Sequence, residues 1–195
     1  HFLEFFSSRN RKNLKKERRK IIEQNIEIRR FSGNQISSDL VDDFYSFYVD
    51  THLKRSGHSG YLNKDFFEKI TNAIPDNILM VLAYKDSQAV AGSFFFYDQN
   101  NLYGRYWGAS NDYNALHFEC CYYQGIDFCI EKNIKRFDPG VQGEHKIKRG
   151  FEPTFTFSSH WIENYDFSLA IKDFLLREDK YLSLIHISEP TRLAI

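Results

Sequence analysis

The strongest constraint in this chain is a set of three β-rich runs spaced as hairpins: residues 78–84 (ILMVLAY), 89–97 (AVAGSFFFY) and 102–109 (LYGRYWGA). Their joints, Lys85-Asp86-Ser87 and Asp98-Gln99-Asn100-Asn101, are short and polar, so neighbouring runs must pair antiparallel. The middle run is apolar on both faces. It therefore has to lie inside a sheet and be covered on both sides. Composition agrees with such a core: 195 residues suit one domain, and 42 % apolar with 17 % aromatic residues excludes a disordered chain.

Helical periodicity supplies the covers. Ser7 or Ser8 can cap a helix running to about Gln24, with Leu14, Ile21 and Ile22 as a narrow apolar strip. Residues 27–31 (EIRRF) predict a short strand, and Ser38 caps a helix carrying Leu40, Phe44, Phe47 and Tyr48. The loop 55–61 (RSGHSGY) leads to a helix over 63–73 that Pro75 ends. After the three runs come a long helix over 115–132, a short strand at 136–138 and a loop at 139–150 rich in glycine and charge. Alternation of Phe155, Phe157, Ser159 and Trp161 predicts a closing strand over 154–162, and a last helix covers 167–181. The expected class is α/β, with a mostly antiparallel mixed sheet flanked by helices. Its order of elements is similar to that of the GNAT-type N-acyltransferase fold, an analogy of topology that carries no chemistry by itself.

Charge is distributed unevenly. Residues 9–20 (RNRKNLKKERRK) hold eight bases and one acid, or +7, which leaves 18 bases and 25 acids, or −7, elsewhere. The net charge of zero argues against general polyanion binding, yet one helix carries a positive field. That helix is either a solvated brace or a contact for phosphates through Lys15, Lys16 and Arg19. Three cysteines, Cys120, Cys121 and Cys129, sit in one helical pattern without metal-ligand spacing and read as reduced packing residues of a cytoplasmic protein. The longest apolar run has seven residues, where a membrane span needs about 20.

Three stretches carry a family resemblance: RKNLKKERR (11–19), LYGRYWGASNDYNALHFECCYYQGIDFCIEK (102–132) and KRFDPGVQGEHKIKRGFEPTFTFSSHWI (135–162). Over about residues 3–181 the chain resembles the bacterial FemAB-like peptidoglycan biosynthesis/recognition proteins. The resemblance implies a GNAT-like domain, the C-terminal one of two, because such proteins are usually about twice this length. It implies an N-acyl or aminoacyl transferase related to peptidoglycan-precursor modification. Better-understood relatives move an aminoacyl group from aminoacyl-tRNA to an amine, so aminoacyl-tRNA and a peptidoglycan precursor are the expected partners. The alternative is a non-catalytic domain recognising peptide or sugar. Coenzyme A users of the same fold carry a glutamine- or arginine-led glycine signature after the fourth strand, where backbone N–H groups hold pyrophosphate. Here that turn reads Tyr106-Trp107-Gly108-Ala109-Ser110-Asn111-Asp112, so coenzyme A is not expected and the acyl donor stays open.

Within this frame the segment 143–150 (GEHKIKRG) concentrates an acid, an imidazole and three cations between glycines. It is either a solvated turn or a catalytic loop with Glu144 or His145 handling a proton and Gln142, Lys146 and Arg149 on the substrate. On the long helix His117, Glu119, Tyr123 and Gln124 interrupt an apolar surface, so they either line a pocket or satisfy one another. Arg105, at the end of the third run, is a further binding candidate. No pattern organises a metal site. The expected domain division is a basic linker helix at 1–25 after a missing N-terminal domain, the GNAT-like domain at 26–182 and a non-native tail at 183–195.

Overall fold

In the computed structural model, residues 2–140, 143–154 and 159–188 are described, the side chains of Glu144 and of 181–188 excepted. Five strands form one sheet in the order β1 (Ile26–Ser32), β2 (Ile78–Lys85), β3 (Gln88–Tyr97), β4 (Asn101–Ala109) and β5 (Arg136–Asp138). The first four pair antiparallel and β5 runs parallel to β4. The doubly apolar run is the central strand, as its pattern requires.

Alternation along β2 and β3 feeds two cores. On one face Leu79, Val81, Ala91 and Phe95 pack against Leu116, Cys120, Phe128 and Cys129. These come from a helical rod over 116–132, here α4, made of Leu116–Phe118, a π-helical stretch Glu119–Tyr123 and Gln124–Lys132. On the other face Met80, Leu82 and Phe94 meet Phe44 and Tyr48 of α2 (Ser38–Ser56) and Phe67 of α3 (Lys64–Ala73). The N-caps Ser37 and Asn63 accept from Leu40 and Phe66 amides. Gly108 lets β4 and α2 touch backbone to backbone: a Cβ there would lie 2.2 Å from the Phe47 carbonyl carbon.

Sequence periodicity predicts a plain α-helix at 115–132, but the π-helical stretch adds a residue to one turn and redirects the side chains after it. Ser93 Oγ donates to the Cys120 carbonyl inside this stretch at 2.8 Å. The basic helix α1 spans Ser8–Glu23 with Ser7 as N-cap. Leu14 and Ile21 are buried, whereas Ile22 is 75 % exposed, so the apolar strip is narrower than expected. Residues 144–149 of the charged loop form a 3-10 turn, Glu144–Arg149. The central residues of the expected closing strand, 155–158, lie outside the described residues, and 154 and 159–162 carry no regular structure. The last helix, α5, runs Tyr165–Ser188 and so continues past residue 182. Two compact units result, His1–Pro153 and Thr154–Ile195, and the site described next lies in the first.

Candidate functional site

The sheet opens along β4. Pairing with β5 covers only Asn101↔Arg136 to Tyr103↔Asp138, while β4 continues for another six residues. A bulge interrupts β4 here: Phe95 faces Gly104 and Phe94 faces Tyr106, which leaves Arg105 as the extra residue, exposed. Bulges of this kind re-aim side chains and end pairing. Ser110 N–H donates inward to Val90 at 2.9 Å, and Ala109 N–H donates outward to Thr51 Oγ1 at 3.0 Å. Backbone groups alternate along a strand, so Trp107 turns its N–H and C=O outward, to the open edge.

Beside this edge stand two imidazoles. His117, on the first turn of α4, packs edge-on to Trp107 with ring centroids 5.3 Å apart and lies 6.4 Å from His145. His145 Nε2 and the Tyr122 hydroxyl are 2.9 Å apart, and the His145 ring lies over Gly143, whose φ of 105° favours glycine. Burial, then the charges of His145, Arg55, Arg149 and Lys146, push His117 down to about 4. Burial followed by Arg149 and Lys146 lowers His145, and burial raises Tyr122 to about 12 and the Cys121 thiol as well. At neutral pH the groups facing one another are thus two neutral imidazoles and a phenol. Burial also lowers Lys146, whose Nζ donates to the Gly140 carbonyl at 2.8 Å.

Three expected substrate contacts have a different employment. Arg149 is buried; its Nε and Nη2 hold Glu17 at 3.2 and 2.7 Å, its Nη1 donates to the His145 carbonyl at 2.7 Å, and its guanidinium lies 3.4 Å from the Phe118 ring centroid. Tyr123 donates its hydroxyl proton to the same Glu17 carboxylate. Arg18 bridges Glu119 at 3.0 Å and Asp127 at 2.7 Å, and Gln124 donates to Glu119 Oε1 at 2.8 Å. Glu119 Oε2 is buried with no partner among the described residues, and burial raises this carboxyl against the pull of Arg18 and Gln124. Two sets of contacts thus tie α1 to α4 and the 3-10 turn: Arg18 holds Glu119 and Asp127, and Glu17 holds Tyr123 and Arg149.

His145 and Lys146 do come together beside the open edge, with Arg105 on the bulge. Glu144 heads the 3-10 turn, and Gln142 lies outside the described residues. Lys15, Lys16 and Arg19 are exposed on the outer side of α1, Arg19 at 4.0 Å from Glu23. Two residues stand out only in the folded chain: Tyr122, and Glu17, whose only signal in the sequence is that it is the lone acid in a basic run. Among the described residues no group of three or more His, Cys, Asp or Glu is placed to hold a metal ion, and no helix is long and apolar enough to cross a membrane.

A model of the FemAB-like family, described as peptidoglycan biosynthesis/recognition, matches residues 1–189. No curated protein matches. Among solved structures, a "possible acetyltransferase" from Clostridium difficile 630 shares 15 % identity with a TM-score of 0.53, covering 71 % of this chain and 99 % of its own. A "predicted acetyltransferase with acetyl-CoA" from Clostridium acetobutylicum shares 12 % identity with a TM-score of 0.51, covering 71 % and 95 %. At such identities the likeness concerns the fold, which is that of the GNAT acetyltransferases.

Proposed function

We propose, from the premise that this chain belongs to the FemAB-like family of peptidoglycan biosynthesis/recognition, that it is an N-acyl or aminoacyl transferase domain acting on an amine of a peptidoglycan precursor. The observation that carries this reading is the parting of β4 from β5 beside the Tyr122–His145 pair. An acyl carbonyl laid against the open edge meets the outward N–H of Trp107, a fixed donor for the oxyanion of a tetrahedral intermediate. The attacking amine loses its proton to a base, the carbonyl carbon forms the new C–N bond, and the bond to the donor's leaving group breaks with a proton returned to that group. His145 suits the base: it is neutral at physiological pH, hydrogen-bonded and beside the edge. His117 is depressed too far to accept a proton efficiently near pH 7. Glu144, one residue earlier, is the competing base.

The donor is an acyl or aminoacyl ester or thioester. The exit from β4 has no glycine between Ser110 and Ala115, and Ala115 itself takes φ 65°, which supports the reading without a coenzyme A pyrophosphate loop. An aminoacyl-tRNA would bring its charged end to the same edge. A second reading, non-catalytic recognition of peptide or sugar, is favoured by one observation: Glu119, Tyr123 and Arg149 hold the fold together instead of facing the edge.

The test is turnover, read by mass spectrometry, of a nucleotide-linked muramyl peptide with acetyl-coenzyme A and with charged tRNA. Transfer is expected, with kcat reduced about 10²-fold or more by His145→Gln or Glu144→Gln at nearly unchanged KM. Binding of the muramyl peptide without transfer from either donor would establish the recognition reading instead.

A further inference from the structure

The two sides of α1 differ in chemistry. Inward, Leu14 and Ile21 are buried, and Glu17 and Arg18 are paired to Arg149 and to Glu119 and Asp127. Outward, Arg9, Lys12, Lys15, Lys16 and Arg19 are exposed. Lys12, Lys15, Arg19 and Ile22 recur at intervals of three, four and three, which places them along one helical face. Ile22 is 75 % exposed and ends this stripe; Phe5, 88 % exposed, precedes the helix. At 1.5 Å per residue the helix offers a straight edge about 24 Å long. The exposed acids flanking the stripe in sequence are Glu23, beside Arg19, and Glu4 in the turn before the helix.

We propose that the outer face of α1 docks on an anionic bilayer surface, with Lys12, Lys15, Lys16 and Arg19 against lipid phosphates and Ile22 and Phe5 entering the interfacial layer. Two observations favour a bilayer over an RNA backbone. Large apolar side chains at the stripe's end and before its start find a partner in a lipid interface, whereas a phosphodiester chain offers them none. The chain outside residues 9–20 carries −7, which repels a polyanion long enough to pass beyond α1, while a plane can be met by this face alone. The proposal stands apart from the transferase reading, since it concerns neither β4 nor the imidazoles.

The experiment is co-sedimentation of this chain with phosphatidylcholine vesicles, with phosphatidylglycerol-rich vesicles and, in a parallel binding assay, with uncharged tRNA, each over a salt series. Binding to the anionic vesicles and not to the neutral ones is expected, weakening with salt. The quadruple variant Lys12→Gln, Lys15→Gln, Lys16→Gln, Arg19→Gln should bind about 10²-fold more weakly, and Ile22→Ser several-fold more weakly. All five side chains are exposed, so the circular dichroism and melting of both variants should match the parent. Equal binding to neutral vesicles, or an unaffected quadruple variant, would overturn the proposal. Retention of tRNA without vesicle binding would overturn it in favour of an RNA contact. Were the quadruple variant to misfold, the contrast between lipids and the salt series on the parent chain would still decide.

Discussion

Arg149 grips Glu17 through two hydrogen bonds, 2.7 and 3.2 Å long, across 132 residues of sequence. The arginine side chain is only 7 % exposed and the glutamate 26 %, so the pair is largely shielded from solvent. Since Arg149 also holds the His145 carbonyl, this contact sets where the imidazole stands relative to α4.

Breaking that pair should destabilise the fold. Removing one partner of a buried ion pair strands the other, at a cost of about 2–4 kcal/mol after allowance for the partial exposure of Glu17. Arg149→Met and Glu17→Gln should each lower the urea midpoint, and the double variant should lose less than the sum of the two. Additive losses would mean that the two side chains are not coupled.

His117 gives the fold a pH dependence of defined sign. Its folded pKa, about 4, lies below its ordinary value of 6.5, so the unfolded chain binds the proton more readily between the two. Stability from this group is present above about pH 6.5 and is lost as pH falls towards 4, by about 3 kcal/mol in all. Denaturation followed across that range should show the slope in the parent and a flatter one in His117→Asn. An NMR titration should find this imidazole still neutral at pH 5.5.

Gly108→Ala should be among the most damaging small substitutions in the chain. The added methyl meets the Phe47 backbone at 2.2 Å, and backbone cannot rotate away as a side-chain tip can. The strand and α2 must separate, at a cost of about 3 kcal/mol or more. Thermal melting compared with Gly57→Ala, which meets nothing within 4 Å but has a left-handed φ of 71°, distinguishes collision from backbone strain. A smaller loss in Gly108→Ala than in Gly57→Ala would refute the argument.

Tyr122→Phe should separate positioning from chemistry. It removes the hydroxyl that faces His145 Nε2 but leaves the ring packed near Phe118 and Phe151. If His145 is the base, kcat should fall about tenfold, the acid limb of the pH–rate profile should move, and His145→Gln should cost more. An unmoved profile would point to Glu144.

Much of the sheet was legible in the sequence because its signals are local. The double apolarity of 90–96 placed β3 at the centre, and polar turns fixed its two neighbours. The content of the charged loop also marked His145 and Lys146 as candidates, and folding sets His145 against Tyr122 and Lys146 against the Gly140 carbonyl. What the chain alone could not show depends on groups far apart in sequence meeting at one point. Glu17 looks like one acid in a solvated basic run until folding sets it beside Arg149 and Tyr123. Glu119 and Arg149 look like ligand contacts until burial requires partners for their charges, and the protein itself provides Arg18 and Gln124 for one Glu119 oxygen and Glu17 for Arg149. The π-helical stretch likewise has no local periodic signature. A hydrophobic period records which face of an element is buried, while the partner of a buried charge is settled only by packing one element against another.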